Sequence, residues 1–192
     1  MPKLGKTIYI IAGCNGAGKT TASFTILPDI IDCKEFVNAD EIAKGLSPFH
    51  PENVAIESGR IMLHRINELI EHEQDFAFET TLSTKSYRQK LVSAKKLGYQ
   101  VCLLFLWLNS SDLAIERVGI RVLEGGHNID NEVIKRRYVR GIRNLFEIYL
   151  PIADNALIFD NSFGIPELVY QKNFDQELIL NAFKFDEIRK SK

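Results

Sequence analysis

An apolar, β-branched run from Ile8 to Ala12 breaks into Gly13, Gly16 and Gly18, then resumes as a helical segment after Lys19, Thr20 and Thr21. This order of strand, glycine-rich loop and helix fills the pattern G-x-x-x-x-G-K-[ST] with Gly13, Cys14, Asn15, Gly16, Ala17, Gly18, Lys19 and Thr20, in the flanking context the pattern requires. Glycines fall where successive backbone N–H groups must wrap a polyphosphate with no Cβ in the way. The following helix points its positive end at the same anion. The stretch Gly13 to Thr21 is therefore read as a nucleoside-triphosphate site. Lys19 is expected to reach the β- and γ-phosphates, and the Thr20 hydroxyl to coordinate Mg²⁺. A glycine-rich crossover turn that binds nothing would have no need of the Lys-Thr pair.

With 192 residues, 45% of them hydrophobic, the chain can build one good core, so a single domain over residues 1–192 is expected. Its 24 basic and 25 acidic side chains leave a net charge of −1, which gives no general attraction to nucleic acid or to an anionic membrane. Any anion site must be local. Cys14, Cys33 and Cys102 lack metal-ligand spacing, and no charged-then-apolar leader precedes Thr7. The longest apolar run, Val101 to Leu108, is too short to span a bilayer. A reducing cytoplasm is the expected location.

Along the chain the first helix should stop at Pro28. A short strand follows at Glu35 to Asn38, then a brief helix opened by Ala39, Asp40 and Glu41 and ending near Gly45. Pro51 suits the first position of a long amphipathic helix reaching Glu73. Phe76 to Glu79 reads as a buried strand, with Thr80 to Ser83 as the loop leaving it, and the next helix closes at Gly98. Val101 to Leu108 is expected to be a central parallel strand covered on both faces. A helix with Asp112 in its first turn, the loop Glu124 to Asn128, a helix from about Asp130 to Leu150 and a fifth strand at Ala156 to Asp160 come next. Strands separated by helices imply a five-stranded parallel sheet with helices on both faces, an α/β fold of the nucleotide-kinase-like phosphate-loop type. Residues from about 164 to 192 read as an appended hairpin, turning at Asn173 to Gln176, and a last helix from Ala182 to Lys190.

Ligands of such a sheet bind at the carboxyl ends of its strands, where Asp40, Glu79 and Asp160 fall. A hydroxyl-activating base and a metal-ordering carboxylate would sit there; a helix cap or a solvated loop carboxylate is the plainer account of any one alone. No Asn-Lys-x-Asp motif supports a GTPase. Ala156 to Asp160 has the look of a motor-type metal strand, yet it comes last, and Phe78-Glu79 is the better neighbour for the phosphate loop. A small-molecule kinase fits best. Such an enzyme needs a cationic lid over the transferring phosphoryl group. Arg117 and Arg121, then Arg136, Arg140 and Arg143, supply helix-spaced cations between about residues 117 and 143, with Gly125-Gly126 as a hinge. A solvated basic face is the ordinary alternative.

The phosphate loop, Phe36-Val37-Asn38-Ala39-Asp40, Phe78-Glu79-Thr80-Thr81-Leu82-Ser83 and the Gly125-Gly126-His127 segment with its arginines together resemble the zeta-toxin family of phosphate-loop kinases, in its compact branch. The resemblance runs from about Thr7 to Ser162. It implies transfer of the γ-phosphate of ATP to a hydroxyl of a UDP-linked amino sugar, with Mg²⁺, and restraint by an antitoxin partner. By position it implies Asp40 as general base, Glu79 and Thr81 against the sugar, and lid arginines on the nucleotide phosphates. Arg136 and Arg140 are expected to be catalytic and Arg117 and Arg121 to bind the nucleotide, although which arginine matches which family residue stays open. Asn15 stands where members often have proline, and Thr80 where a glycine is usual. These departures put the acceptor in question. The competing reading, from another class, is a nucleotide-dependent switch or binding protein, or a kinase of another small metabolite without toxicity.

Overall fold

The computed structural model describes residues 5–29 and 32–191. Among them a seven-stranded sheet runs in the order β2-β3-β1-β4-β5-β6-β7. Strand β1 (Thr7–Gly13) lies between β3 (Phe76–Thr80) and β4 (Gln100–Trp107), with β2 (Phe36–Val37) beyond β3 and β5 (Asn155–Asp160) beyond β4. These five are parallel, as expected of strands joined by helical crossovers. The carboxyl-terminal hairpin, β6 (Glu167–Asn173) and β7 (Gln176–Ile179), does not stand apart as an appendage. It pairs antiparallel with β5 and extends the sheet to seven strands, because β5 would otherwise leave an unpaired row of backbone groups at its edge.

Eight α-helices complete the described fold: α1 (Lys19–Asp29), α2 (Ala39–Leu46), α3 (Ala55–Glu71), α4 (Tyr87–Lys96), α5 (Ser111–Leu123), α6 (Asn131–Asn144), α7 (Leu150–Ile152) and α8 (Ala182–Lys190). Helix α1 runs one residue past Pro28. Pro51 opens a short 3₁₀ turn, Pro51–Val54, ahead of α3. The expected helix from Asp130 to Leu150 is interrupted by a π-helical turn, Leu145–Tyr149. Its wider winding shifts the phase of the side chains at the end of the helix, and the Tyr149 hydroxyl donates to the Thr84 carbonyl at 2.6 Å.

The larger of two buried clusters takes in Ile134, Tyr138 and Ile142 of α6 at helical spacing with Ala114 and Val118 of α5, while Ile11, Cys33 and Ala77 form a smaller one. Burying each large side chain of that stripe stabilises the fold by roughly 1.5–3 kcal/mol. The lid region thus belongs largely to the body of the domain. Strand β4 is not covered equally on both faces: Val101, Leu103 and Phe105 are buried while Cys102 and Leu104 are half-buried. Helix α1 lies against β1 and β3, and the face of β4 and β5 beside it keeps Leu157 exposed.

Candidate active site

Strand β1 ends in the phosphate loop, and neighbouring elements press on it from two sides. A Cβ at Gly13 would run into the Leu106 carbonyl of β4, and one at Gly16, whose φ is 78°, would lie 2.9 Å from the Ala114 carbonyl of α5. Only glycine fits both the close approach and the left-handed conformation. Asn161, just past β5, donates Nδ2 to the Ala17 carbonyl at 2.9 Å and holds the loop from a third direction. Burial pushes the Cys14 thiol up to about 11 against the pull of Lys19, so Cys14 fills space and is no nucleophile.

Buried Lys19 donates Nζ to the Cys14 carbonyl at 2.9 Å and stands 3.6 Å from Glu79 Oε1. The Thr20 hydroxyl donates to Glu79 Oε2 at 2.9 Å, and Asn38 Nδ2 donates to the same oxygen at 3.0 Å. Burial raises the Glu79 pKa above its ordinary value; Lys19 and Thr20 oppose that shift, and Asp40 adds a smaller push upward. Glu79 therefore joins the phosphate loop to the second strand crossover. Its oxygens are in contact with the two residues that the motif assigns to phosphate and metal.

Asn38 is also the cap of α2, its Oδ1 accepting from the Asp40 backbone N–H at 2.8 Å. The capping role open to Asp40 is thereby taken by its neighbour. The half-buried Asp40 carboxylate lines a cleft of about 170 Å³ shared with Lys19, Glu79, Thr81 and Arg137. Asp160 is placed elsewhere. It accepts from the backbone N–H and hydroxyl of Ser162 and pairs with Lys184 of α8. Burial alone would raise its pKa, but Lys184 and Ser162 outweigh burial and hold it below the ordinary value.

The arginines divide. Arg117 lies beside the loop, its Cβ 3.1 Å from where a Gly16 Cβ would be, and donates to the Ser162 carbonyl at 2.9 Å. Arg121 turns to the His127 carbonyl at 3.4 Å. Arg136 and Arg140 are exposed and absent from the described lining of the cleft; the cation that α6 brings there is Arg137, whose Nη1 is 3.4 Å from Asn15 Oδ1. Arg137, Gly141 and Asn144 form one face of α6 at spacings of four and three. Gly141 abuts the Thr81 carbonyl, and Asn144 donates to the Leu82 carbonyl at 2.7 Å. Spacing among the arginines alone hides that stripe; an arginine, a glycine and an asparagine at i, i+4 and i+7 are the available signal.

The Gly125-Gly126 pair closes α5. Gly125 N–H bonds the Val122 carbonyl and Gly126 N–H the Arg121 carbonyl, with Gly125 at φ 94°, the paired bonds of a Schellman cap. His127 is half-buried in the loop beyond. Burial lowers its pKa, partly countered by Asp40 and reinforced by Arg121. Thr21 is exposed on α1 and lines a second groove of about 520 Å³ with Gly18, Asn161 and Pro166.

Among the described residues no cluster of three or more His, Cys, Asp or Glu side chains could hold a metal alone. A hydroxyl and a carboxylate 2.9 Å apart, Thr20 and Glu79, suit a hard cation that takes its other ligands from phosphate and water. The donor set fits Mg²⁺ on those terms. No helix among the described residues is long and apolar enough to cross a membrane.

The sequence profile described as Zeta toxin matches residues 2–181. The chain belongs to the Zeta toxin family. A Haemophilus influenzae protein is 32% identical over 127 residues, covering 66% of this chain and 88% of that one. Among solved structures, the AvrRxo1-ORF1:-ORF2 complex with ATP superposes with a TM-score of 0.80 at 16% identity over 97% of this chain. The match spans 64% of the length of that neighbour. The PezAT toxin–antitoxin system of Streptococcus pneumoniae gives a TM-score of 0.65 at 17% identity, covering 98% of this chain and 86% of that one. At such identities the likeness establishes the fold, which this Zeta toxin family member shares with both.

Proposed function

We propose that the protein is an ATP-dependent kinase that transfers the γ-phosphate to a hydroxyl of a small acceptor bound between Asp40 and the turn after β3. The observation that carries the reading is the arrangement of Lys19 and Thr20 around Glu79 with an uncommitted Asp40 carboxylate across the same cleft. A loop that bound nucleotide only as a switch would not require a carboxylate aimed at a second ligand. The resemblance to zeta toxins makes a UDP-linked amino sugar the first acceptor to consider, with another small metabolite as the alternative.

Lys19 and the loop N–H groups hold the β- and γ-phosphates, while the base of ATP lies in the groove beside Gly18, Thr21 and Pro166. Mg²⁺, when bound at Thr20, would offset the charge that develops on the phosphates during transfer. Arg137 leaves the Asn15 amide for the γ-phosphate, where a cation offsets charge on the equatorial oxygens. Arg117 and Arg121 flank the nucleotide, and the loop from Glu124 to Asp130 shields the site from water. Arg136 and Arg140 reach it only if α6 turns. Asp40 orients the acceptor hydroxyl and takes its proton late in the transfer. Thr81 contacts the acceptor. Glu79 orders the Thr20 hydroxyl, with which it would hold the metal, and its edge toward the cleft also touches the acceptor.

An antitoxin partner is proposed on the strength of the family and of the PezAT likeness, and a cytoplasmic setting on the three free cysteines. The kinase reading is tested by titrating ATP calorimetrically and following ADP release with and without small hydroxylated acceptors. Turnover that rises with acceptor supports it. Nucleotide binding with no acceptor-dependent turnover would favour the switch.

A further inference from the structure

Asn161 stands one residue past β5, at the end of the sheet that carries the phosphate loop. Its place is set by the main chain, because its N–H donates to the Trp107 carbonyl at 2.9 Å and carries the β4–β5 pairing one residue further. From that anchored backbone the half-buried side chain reaches the loop, where Nδ2 donates to the Ala17 carbonyl at 2.9 Å. A carbonyl only accepts, so the amide must present its nitrogen there. A Cβ added at Gly18 would lie 3.0 Å from the same nitrogen, so the amide rests directly on the peptide between Ala17 and Gly18.

That peptide has little of its own to hold it. The ladder of α1 begins at the next carbonyl, with the Ala22 N–H on Gly18 at 3.0 Å. Gly18 is at φ 84°, and with no Cβ it can pass to a negative φ without steric cost. A trans peptide sets its C=O and N–H on opposite sides. With the Ala17 oxygen drawn to Asn161, the Gly18 N–H points the other way; with the plane turned over, an oxygen would take the place of that N–H. In the phosphate-loop motif the Gly18 N–H is one of the successive donors that wrap the polyphosphate. A carbonyl oxygen there would present negative charge to an anion.

We infer that Asn161 is a positioning residue for phosphate binding: by holding the Ala17 carbonyl it keeps the Gly18 N–H turned toward the nucleotide, while its own side chain need touch no phosphate. The inference rests on the nucleotide-binding half of the kinase reading and requires no acceptor. Asn161 also lines the groove assigned above to the base of ATP, and contact with the base would be a different role. Inorganic tripolyphosphate separates the two, since it carries the phosphates and lacks the base.

ATP and tripolyphosphate, each with Mg²⁺, are titrated calorimetrically into the full chain and into its Asn161→Leu and Asn161→Ala variants, with thermal unfolding without ligand to show that each variant is folded. Leucine keeps the size and neutrality of asparagine and removes the donor; alanine serves if leucine does not fold. Kd is expected to rise by roughly three- to tenfold for both ligands alike, the worth of one neutral hydrogen bond. A loss for ATP with tripolyphosphate affinity unchanged would make Asn161 a base contact and overturn the inference, as would unchanged affinity for both; either result leaves the kinase reading standing. A wild-type chain that binds neither ligand would overturn the nucleotide site itself.

Discussion

Thr20 Oγ1 donates to Glu79 Oε2 at 2.9 Å, tying the second residue of α1 to the end of β3. The contact exists because β3 is the direct neighbour of β1, with Ile11 opposite Glu79 in register. Whatever binds at the loop must therefore reckon with a buried carboxylate.

Burial raises the Glu79 pKa above 4.5, so the folded state holds that proton more tightly than the unfolded chain. The associated stability is full below the unfolded pKa and is lost as pH rises through the folded one. Glu79→Gln cannot titrate. Its stability relative to wild type should increase as pH climbs from 4.5 through the mildly acidic range, read by denaturant midpoints at several pH values. A difference that is flat with pH would contradict the raised pKa.

Lys19→Met should abolish turnover and weaken ATP binding, because it removes the cation that meets the β- and γ-phosphates. The fold should survive, since methionine fills the same buried channel. Circular dichroism and calorimetric titration check the two halves of this expectation; phosphoryl transfer near the wild-type rate would place the active site elsewhere.

Arg137→Ala should lower kcat on the order of 10²-fold, the usual loss for one transition-state donor. Arg136→Ala and Arg140→Ala, which alter exposed side chains, should change it by less than roughly tenfold. Steady-state kinetics of the three variants side by side decide the matter. A larger loss at Arg136 or Arg140 would show that α6 turns when nucleotide binds.

Much of this site is legible in the sequence, for physical reasons that differ by residue. The phosphate loop is a local motif whose glycines and Lys19 are fixed by backbone approach and charge, so it can be read without neighbours. Asp40 and Glu79 follow from the rule that ligands gather at strand ends. Asn38, Asn161 and Arg137 escape such reading, because their roles arise from partners 41, 144 and 122 positions away. Asp160 obeys the same strand-end rule and yet is bound to Lys184 from α8, a contact no local pattern reveals. The hairpin is readable as β6 and β7, but its pairing to β5 is not, since register between distant strands is set by tertiary packing.

Asp160→Asn should destabilise the protein by about 2–3 kcal/mol, since it leaves Lys184 without its buried acceptor and weakens the Ser162 turn. The effect at neutral pH should shrink as pH falls through the lowered Asp160 pKa. Chemical denaturation reports both, with catalysis per folded molecule unchanged; an equal loss of kcat would draw Asp160 into the site.

With Asn38 capping α2, the Asp40 carboxylate is left to line the cleft, and the kinase reading stands or falls on its acting there as the base. Single-turnover transfer of labelled γ-phosphate by Asp40→Asn, with ATP affinity measured in parallel, probes it without intermediaries. The expected result is a loss of about 10²- to 10⁴-fold, the usual contribution of a positioned base, at nearly constant ATP affinity. A rate within a factor of a few of wild type would contradict it.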